Sequence, residues 1–263
     1  MNYAIETIDL TKEFSMDKGL FNFLMSPRYR RKNITALKGV NLQIRKGEIF
    51  GLVGPNHAGK TTLIKILSTL ILPTRGSAFV NGYDVIKDEN KVKSSISLIT
   101  SEQRSPYWRL TGRQNMEFYA ALYHLSIKEF KKRMDSLIDL LALDEDIDKQ
   151  VMRYSTGMRQ RLCLARGLLS DAEVLFMDEP TKSLDIEAAR NLRNFISDEL
   201  VRKMGKTVLF TTHQPYEAET LSDRLAIIDN GEIKVTGGLY EIRQGLNTPD
   251  ATFEEIFMHY TKD

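Results

Sequence analysis

The stretch Ile49-Phe50-Gly51-Leu52-Val53-Gly54-Pro55-Asn56-His57-Ala58-Gly59-Lys60-Thr61 decides the fold of this chain. Its first five residues form a short apolar run, which is typical of a strand that is buried on both faces. A glycine-rich loop follows, and Thr61–Leu70 then has apolar residues at helical spacing. Strand, glycine loop and helix together are the context that a phosphate-binding loop requires.

Short apolar runs and helical patterns alternate along the rest of the chain. Residues 111–169 have helical spacing throughout, whereas Tyr3–Leu10 and Val40–Ile44 alternate apolar and polar residues as half-buried strands do. Apolar strands that alternate with helices indicate an α/β fold with a mostly parallel sheet. The further buried strands that we predict are Val174–Met177, Thr207–Thr211 and Leu225–Ile228.

The composition of the 263 residues is that of an ordinary globular protein, with 42% hydrophobic and 27% charged residues. The net charge of +2 gives no sign of a nucleic-acid binder with a strongly basic surface. Cys163 is the only cysteine, so the chain cannot form an internal disulfide. No stretch reaches the roughly 20 apolar residues of a membrane-spanning helix, and the N-terminus lacks the pattern of a secretory signal. We therefore expect another protein to anchor this chain if it works at a membrane.

The loop from Gly54 to Thr61 fits the pattern G-x-x-x-x-G-K-[ST]. Glycines allow the backbone to curve closely around phosphates, so that successive N–H groups point at the anion. At this spacing Lys60 reaches the β- and γ-phosphates, and the hydroxyl of Thr61 is placed to bind Mg²⁺. The pattern, with its flanking strand and helix, predicts a nucleotide site.

Two acidic residues end the predicted strand Val174–Met177 and continue this chemistry. Asp178, at the tip of a buried strand, can hold Mg²⁺ beside the hydroxyl of the phosphate loop. The adjacent Glu179 is a candidate general base, which would orient and deprotonate the attacking water. The Asp-Glu pair is weak evidence alone and strong evidence together with the upstream loop.

The run Tyr154-Ser155-Thr156-Gly157-Met158 opens a helical pattern just ahead of that strand. The N–H groups in the first turn of a helix lack partners, and they therefore bind anions well. A simple N-cap by Ser155 or Thr156 is the alternative interpretation, and in isolation it would be preferred.

These motifs, with Ser183-Leu184-Asp185 and Thr212-His213, occur in the order found in ABC transporter ATPase subunits, which the chain resembles from about Ile5 to Leu246. The resemblance implies a P-loop NTPase (RecA-like) core with a mostly parallel sheet, an N-terminal antiparallel β subdomain and a helical signature subdomain. We expect the ATPase domain to span residues 1–240, with the helical subdomain at about 101–169, an insertion at about 17–33 and a helical tail at 241–263.

The resemblance also implies roles for single residues. Glu179, His213 and Gln103 would be catalytic, Thr61 and Asp178 would bind the metal, and Asp185 would belong to the D-loop at a dimer interface. The signature motif, which contacts the ATP held by the other subunit, would comprise Ser155, Thr156, Gly157 and Met158. The ATP-binding residues would be Gly54, Pro55, Asn56, His57, Ala58, Gly59, Lys60, Thr61, Thr62 and Phe14.

The partners follow from the same resemblance. We expect Mg-ATP hydrolysis by a homodimer, or by a heterodimer with a second ATPase subunit, and no contact with nucleic acid. A transmembrane permease subunit would hold the chain at the cytoplasmic face of the cell membrane. The signature Tyr-Ser-Thr-Gly-Met is similar to those of sodium and drug efflux subunits, which favours export. The aromatic segment Ser105–Arg109 lies where the family docks its permease, although a core Trp108 would explain it nearly as well.

The chain departs from the family pattern at several positions. His57 stands where the family's loop has glycine, so a positive φ there would cost some strain. Gln103 is the nearest glutamine for the Q-loop, and Ser101 and Glu102 compete for that position. Tyr29, within the 17–33 segment, competes with Phe14 for stacking on adenine. This segment is either a solvated loop or an amphipathic contact with a membrane or partner.

Two other functions are consistent with parts of this pattern. A non-transport ABC ATPase would carry two nucleotide domains in one chain or a long coiled coil, and neither is found here. A regulatory nucleotide-binding subunit with little hydrolysis is suggested by His57 alone.

Overall fold

The computed structural model describes residues 3–15, 33–100, 106–182, 184–246 and 251–261. The strands are β1 (Tyr3–Ser15), β2 (Asn33–Arg45), β3 (Ile49–Val53), β4 (Arg75–Val80), β5 (Tyr83–Asp84), β6 (Ile96–Thr100), β7 (Val174–Asp178), β8 (Thr207–Thr212), β9 (Arg224–Asp229) and β10 (Glu232–Gly237). The helices are α1 (Lys60–Leu67), α2 (Glu89–Ser95), α3 (Gly112–Leu122), α4 (Ile127–Leu140), α5 (Thr156–Leu169), α6 (Ile186–Asn194), α7 (Pro215–Leu221), α8 (Leu239–Gly245) and α9 (Phe253–Thr261). A 3₁₀ turn (Val151–Arg153) precedes α5, and a π-helical segment (Phe195–Lys203) continues α6.

The strands form two sheets. The larger sheet has the order β10-β9-β3-β8-β7-β6, and all its pairs are parallel except β9 with β10. The smaller sheet, β2-β1-β4-β5, is antiparallel. The predicted α/β fold with a mostly parallel sheet and an N-terminal antiparallel subdomain is thereby confirmed.

The parallel strands are apolar throughout because both of their faces are covered. In β7, Val174 and Phe176 pack into a core shared with α1 and the antiparallel sheet. The alternate residues Leu175 and Met177 pack on the opposite face against α3 to α6. The sheet is therefore the middle layer between the antiparallel subdomain and the helices.

The structure refines several element bounds. The helix predicted for Thr61–Leu70 ends at Leu67, because Ser68 caps it and Thr69 turns to a φ of 60°. The region predicted as helical throughout, 111–169, is interrupted between α3 and α4, where His124 has a φ of 54°, and again between α4 and α5, where Ala142 has a φ of 48°. Of the predicted insertion at 17–33, only Asn33 lies within the described residues.

The C-terminal segment packs against the rest of the chain. Phe253 and Ile256 of α9 are buried in a small core with Val53, Leu225 and Ile227. None of the helices in the described ranges is both long and apolar enough to cross a membrane.

Candidate active site

The ends of three parallel strands bring the predicted motifs together. Val53 at the end of β3 lies beside Thr212 of β8, and Asp178 at the end of β7 lies beside Thr211. The carboxyl ends of neighbouring parallel strands share one edge of a sheet, which is where α/β proteins bind ligands. The loops that follow β3, β7 and β8 therefore open onto one cleft.

The cleft has a volume of about 850 Å³. Most of the predicted phosphate loop and both acidic residues line it. These lining residues are Asn56, His57, Ala58, Gly59, Lys60, Thr61, Thr62, Asp178 and Glu179. The opposite wall was not predicted from the sequence and comes from the antiparallel sheet and the β9–β10 turn. It includes Ile34, Thr35, Ala36, Lys38, Asn230 and Gly231.

The β9–β10 turn joins this wall to the phosphate loop. The amide of Gly231 donates a hydrogen bond to the carbonyl of Ala58 (3.0 Å), and the amide of Lys38 donates to the carbonyl of Gly231 (2.8 Å). One residue of the turn therefore contacts both the loop and strand β2.

Lys60 closes the phosphate loop on itself. Its ammonium group donates to the carbonyls of Gly54 (2.6 Å) and Pro55 (2.9 Å), and the residue is 6% exposed. Burial lowers the pKa of Lys60, and the charges of Glu179 and Asp178 oppose that shift. The arrangement holds a cation inside the curve of the loop, as the binding of phosphate requires.

Two residues of the loop have left-handed backbone angles. Gly59 has a φ of 111°, and a Cβ there would lie 2.6 Å from the carbonyl oxygen of Ala36, so only glycine fits. His57 has a φ of 68° and is exposed, which confirms that a side chain occupies a position that favours glycine. Histidine enters this region more readily than a β-branched residue.

Asp178 is oriented by two hydroxyl groups. Thr61 donates to its Oδ2 (3.1 Å), and Thr211 donates to its Oδ1. Thr211 also accepts a hydrogen bond from the amide of Glu179 (3.2 Å). Thr211 was not singled out as a site residue from the sequence, although it directly precedes the recognised Thr212-His213 pair.

Glu179 and His213 form a direct pair. The Nδ1 atom of His213 lies 2.6 Å and 2.9 Å from the two carboxylate oxygens of Glu179, so a proton on Nδ1 is donated to the carboxylate. Glu179 has a φ of 54°, a strained angle of the kind that clusters at active sites. The pairing fixes the direction of the carboxylate at the edge of the cleft.

The predicted signature residues lie at the start of α5 and do not line the cleft. The hydroxyl of Ser155 accepts a hydrogen bond from the amide of Met158 (3.2 Å), so the N-cap interpretation is correct within the chain. Tyr154 is buried, and its hydroxyl donates to the carbonyl of Asp146 (2.7 Å). Burial raises the pKa of Tyr154 to about 12. Because of its hydrogen bond to Asp146, this first residue of the motif anchors the turn before α5.

Three other predicted residues have simple outcomes. Asp185 caps α6, where its Oδ1 accepts from the amide of Ala188 (2.8 Å). Phe14 is 41% exposed on β1 and pairs with Ile34, which lines the cleft although Phe14 does not. Its stacking on adenine stays a prediction. Gln103 lies outside the described residues.

Sequence reasoning missed two buried polar residues behind the cleft. Gln160 donates from Nε2 to the carbonyl of Pro180 (3.0 Å), and Glu217 accepts from the hydroxyl of Thr181 (2.7 Å). Gln160 follows the signature residues by two positions but was given no role, and Glu217 belongs to no recognised motif; the fold brings both to the loop that follows Glu179.

The ABC transporter family matches residues 37–182 of this chain. The chain is 32% identical over 229 residues to the ABC transporter ATP-binding protein NatA of Bacillus subtilis, covering 87% of this chain and 92% of that protein. It is 37% identical over 235 residues to the doxorubicin resistance ATP-binding protein DrrA of Mycobacterium tuberculosis, covering 89% of this chain and 69% of that protein.

A solved ATP-binding subunit of an ABC transporter has a TM-score of 0.80 and 26% identity, with coverage of 98% of this chain and 100% of that structure. A dimeric ATP-binding cassette bound to ADP and phosphate shares the fold, with a TM-score of 0.71, 24% identity and coverage of 89% and 98%. These likenesses agree with the motif order and with the cleft. The chain therefore belongs to the ABC transporter family, as one of its ATP-binding, ATP-hydrolysing domains.

Proposed function

We propose that two nucleotide domains, each this chain or one of them a paralogue, bind ATP between them and power export through a separate transmembrane subunit. One observation carries the proposal. The cleft is lined by most of the phosphate loop, Asp178 and Glu179, whereas Ser155 and Gly157 of the signature motif do not line it in the same chain. In a dimer, the cleft of one chain would form one half of a composite site, and the signature motif of the other chain would form the second half.

The surroundings of Gly157 support this composite site. A Cβ added at Gly157 would meet only the hydroxyl oxygen of Ser155, at 3.9 Å, so nothing in the part of the chain that the structure describes requires glycine there. A glycine in the first turn of a helix also weakens that helix. Close approach of a ligand held by another chain explains both facts, since the free N–H groups of a helix start bind phosphate.

In the half that forms the cleft, each residue has a separate task. Lys60 and the loop amides bind the β- and γ-phosphates. Glu179 accepts a proton from the attacking water and orients it, and His213 holds the carboxylate of Glu179 in place through Nδ1. The oxygen of that water attacks the γ-phosphorus, the bond to the β-phosphate oxygen breaks, and ADP and phosphate result.

Thr61 and Asp178 fit a magnesium site. Their side chains are a hydroxyl and a carboxylate in direct hydrogen-bond contact, which are oxygen donors of the kind that Mg²⁺ prefers. Few protein ligands are needed, because Mg²⁺ keeps several waters and binds substrate phosphates. When bound, the ion would neutralise charge that develops on the phosphates.

An exposed aromatic surface supports a transmembrane partner and a place at the membrane. Tyr107 and Trp108 are 49% and 46% exposed, and Phe118 packs edge-on against Tyr107 with ring centroids 4.9 Å apart. The guanidinium of Arg159 lies 5.8 Å from the centre of the Trp108 ring. Aromatic residues with arginine are typical anchors of protein interfaces. We name Tyr107, Trp108 and Phe118 the aromatic surface.

Export is supported by relatives such as DrrA, which is named for doxorubicin resistance.

Substitution of Glu179 by Gln tests the proposal. We expect Glu179→Gln to abolish Mg-ATP hydrolysis by the purified chain, because an amide cannot accept the proton of the water. ATP-driven dimerisation, measured by size-exclusion chromatography with light scattering, should persist. Glu173→Gln, the same chemical change at the exposed residue that precedes β7 and lies outside the cleft lining, is the matched control. An unchanged hydrolysis rate for Glu179→Gln would show that Glu179 is not the base.

A further inference from the structure

Glu217 is a buried carboxylate with no place in the nucleotide cleft. It lies in the first turn of α7, is 2% exposed and does not line the cleft. Burial raises its pKa, and hydrogen bonds from Thr212 and Thr181 oppose that shift. Burial of a carboxylate costs solvation free energy, and the hydrogen bonds from its partners must compensate for that cost.

Those partners flank the two catalytic side chains. Thr181, which is 7% exposed, donates to Oε1 of Glu217 over 2.7 Å and follows Glu179 by two residues. Thr212, at the end of β8, directly precedes His213. Glu217 therefore joins the loop after β7 to the end of β8, behind the pair formed by Glu179 and His213.

The same loop is held from its other side by α5. The side chain of Gln160, 9% exposed, donates to the carbonyl of Pro180 over 3.0 Å. Pro180 and Thr181 are thus fixed by two different helices, one of which begins with the signature motif. Since Glu179 has a left-handed backbone angle, its orientation depends on such restraint from its surroundings.

We propose that Glu217 is a positioning residue for hydrolysis, which holds the loop bearing Glu179 against the strand end bearing His213. The inference rests on the proposed function, because it assumes that Glu179 orients the attacking water. Loss of the contact would let the Glu179 carboxylate leave its productive direction. ATP binding would persist, because neither Glu217 nor Thr181 lines the cleft.

Steady-state hydrolysis of Mg-ATP by the full chain tests this inference. Glu217→Ala and Thr181→Val each remove one side of the hydrogen bond, and Thr181→Val does so with little change in volume. We expect each to lower kcat by about tenfold while KM stays within about twofold, as expected for loss of a charge-assisted hydrogen bond that acts on the transition state alone. Direct binding of ATP, measured by calorimetry, should be unchanged.

Conservative variants separate positioning from general loosening of the fold. Glu217→Gln retains an oxygen acceptor and Thr181→Ser retains the donor, so both should keep most of the rate. Glu219→Ala, on the same helix, removes only an exposed ion pair with Arg243 and serves as the matched control. If the chain without substitutions fails to hydrolyse ATP, the proposed function and this inference both fall. If it hydrolyses ATP and Thr181→Val is as fast, or if KM rises in proportion as kcat falls, only the inference is wrong.

Discussion

His57 shows how a single side chain can be accommodated in a loop that favours glycine. Its φ of 68° would cost an average residue about 1 kcal/mol or more. Two features reduce the difficulty: histidine tolerates the left-handed region, and the side chain is exposed at the mouth of the cleft. The shape of the loop is therefore kept with the contacts of Lys60 and Gly59 and does not depend on a glycine at position 57.

Stability measurements on variants of His57 test this account. We expect His57→Val to lower the free energy of unfolding by about 1 kcal/mol, because a β-branched residue is strained at positive φ. His57→Asn should stay within about 0.5 kcal/mol, as exposed substitutions without strain do. Urea denaturation measures both values. Equal stability of the Val and Asn variants would mean that the backbone angle at this position carries no strain.

At the scale of elements, the strands whose bounds are set by neighbouring residues in the sequence were predicted best. Strand β3 was predicted with its observed bounds, because five apolar residues between a turn and a glycine loop allow little else. Strand β2 begins seven residues before the predicted Val40, because its first half pairs with the far end of β1. That pairing is a tertiary contact, which the alternation of residues does not reveal.

The candidate site divides in the same way. The loop, Asp178 and Glu179 were predicted because each motif lies next to its own strand, and the pairing of three strands then brings them together. Glu217 and Gln160 were missed, because their partners Thr181 and Pro180 are respectively 36 and 20 residues away in the chain. A lone glutamate in a helix is ordinarily a surface residue.

Helices α4 and α5 begin alike and differ in one informative residue. Ser126 caps α4 as Ser155 caps α5, in each case by accepting a hydrogen bond from the amide three residues on. The second helical residue is the exposed Lys128 in α4 and Gly157 in α5. The difference supports the proposed contact of the start of α5 with the nucleotide of another chain.

This comparison supplies a matched pair of variants. We expect Gly157→Leu to raise the free energy of unfolding by about 0.5 kcal/mol, because the site is open and leucine favours a helix. It should nevertheless abolish ATP-driven dimerisation, measured by light scattering. The leucine side chain would occupy the space of the phosphates of the ATP that is bound in the cleft of the other chain. Lys128→Leu adds a similar side chain at the equivalent position of α4 and should dimerise normally. Dimerisation of Gly157→Leu at the usual ATP concentration would contradict the composite site.

At the scale of the whole molecule, the cleft and the aromatic surface lie on different layers. The cleft is formed at the sheet edge by loops and the antiparallel subdomain, whereas the aromatic surface is formed by residues at and before α3, on the helical side. Contact with a membrane partner at the aromatic surface would therefore leave the cleft free to bind nucleotide.

The separation predicts that binding of the partner can be lost without loss of catalysis. We expect Phe118→Asp to abolish co-purification with the proposed transmembrane partner, because it places a charge within the aromatic surface. Hydrolysis by the isolated chain should be unchanged. Tyr240→Asp alters an aromatic residue that is 75% exposed elsewhere, on α8, and should co-purify normally. Normal co-purification of Phe118→Asp would place the docking site on another face.

The turn at Gly231 gives the molecule a mechanical property. Since its amide and carbonyl form hydrogen bonds with Ala58 and Lys38, the turn links the phosphate loop, strand β2 and the β9–β10 hairpin into one hydrogen-bonded unit. A displacement of the antiparallel sheet would therefore be transmitted directly to the phosphate loop. If two such chains close around ATP as proposed, we expect that unit to move as a block relative to the helix that begins with the signature motif.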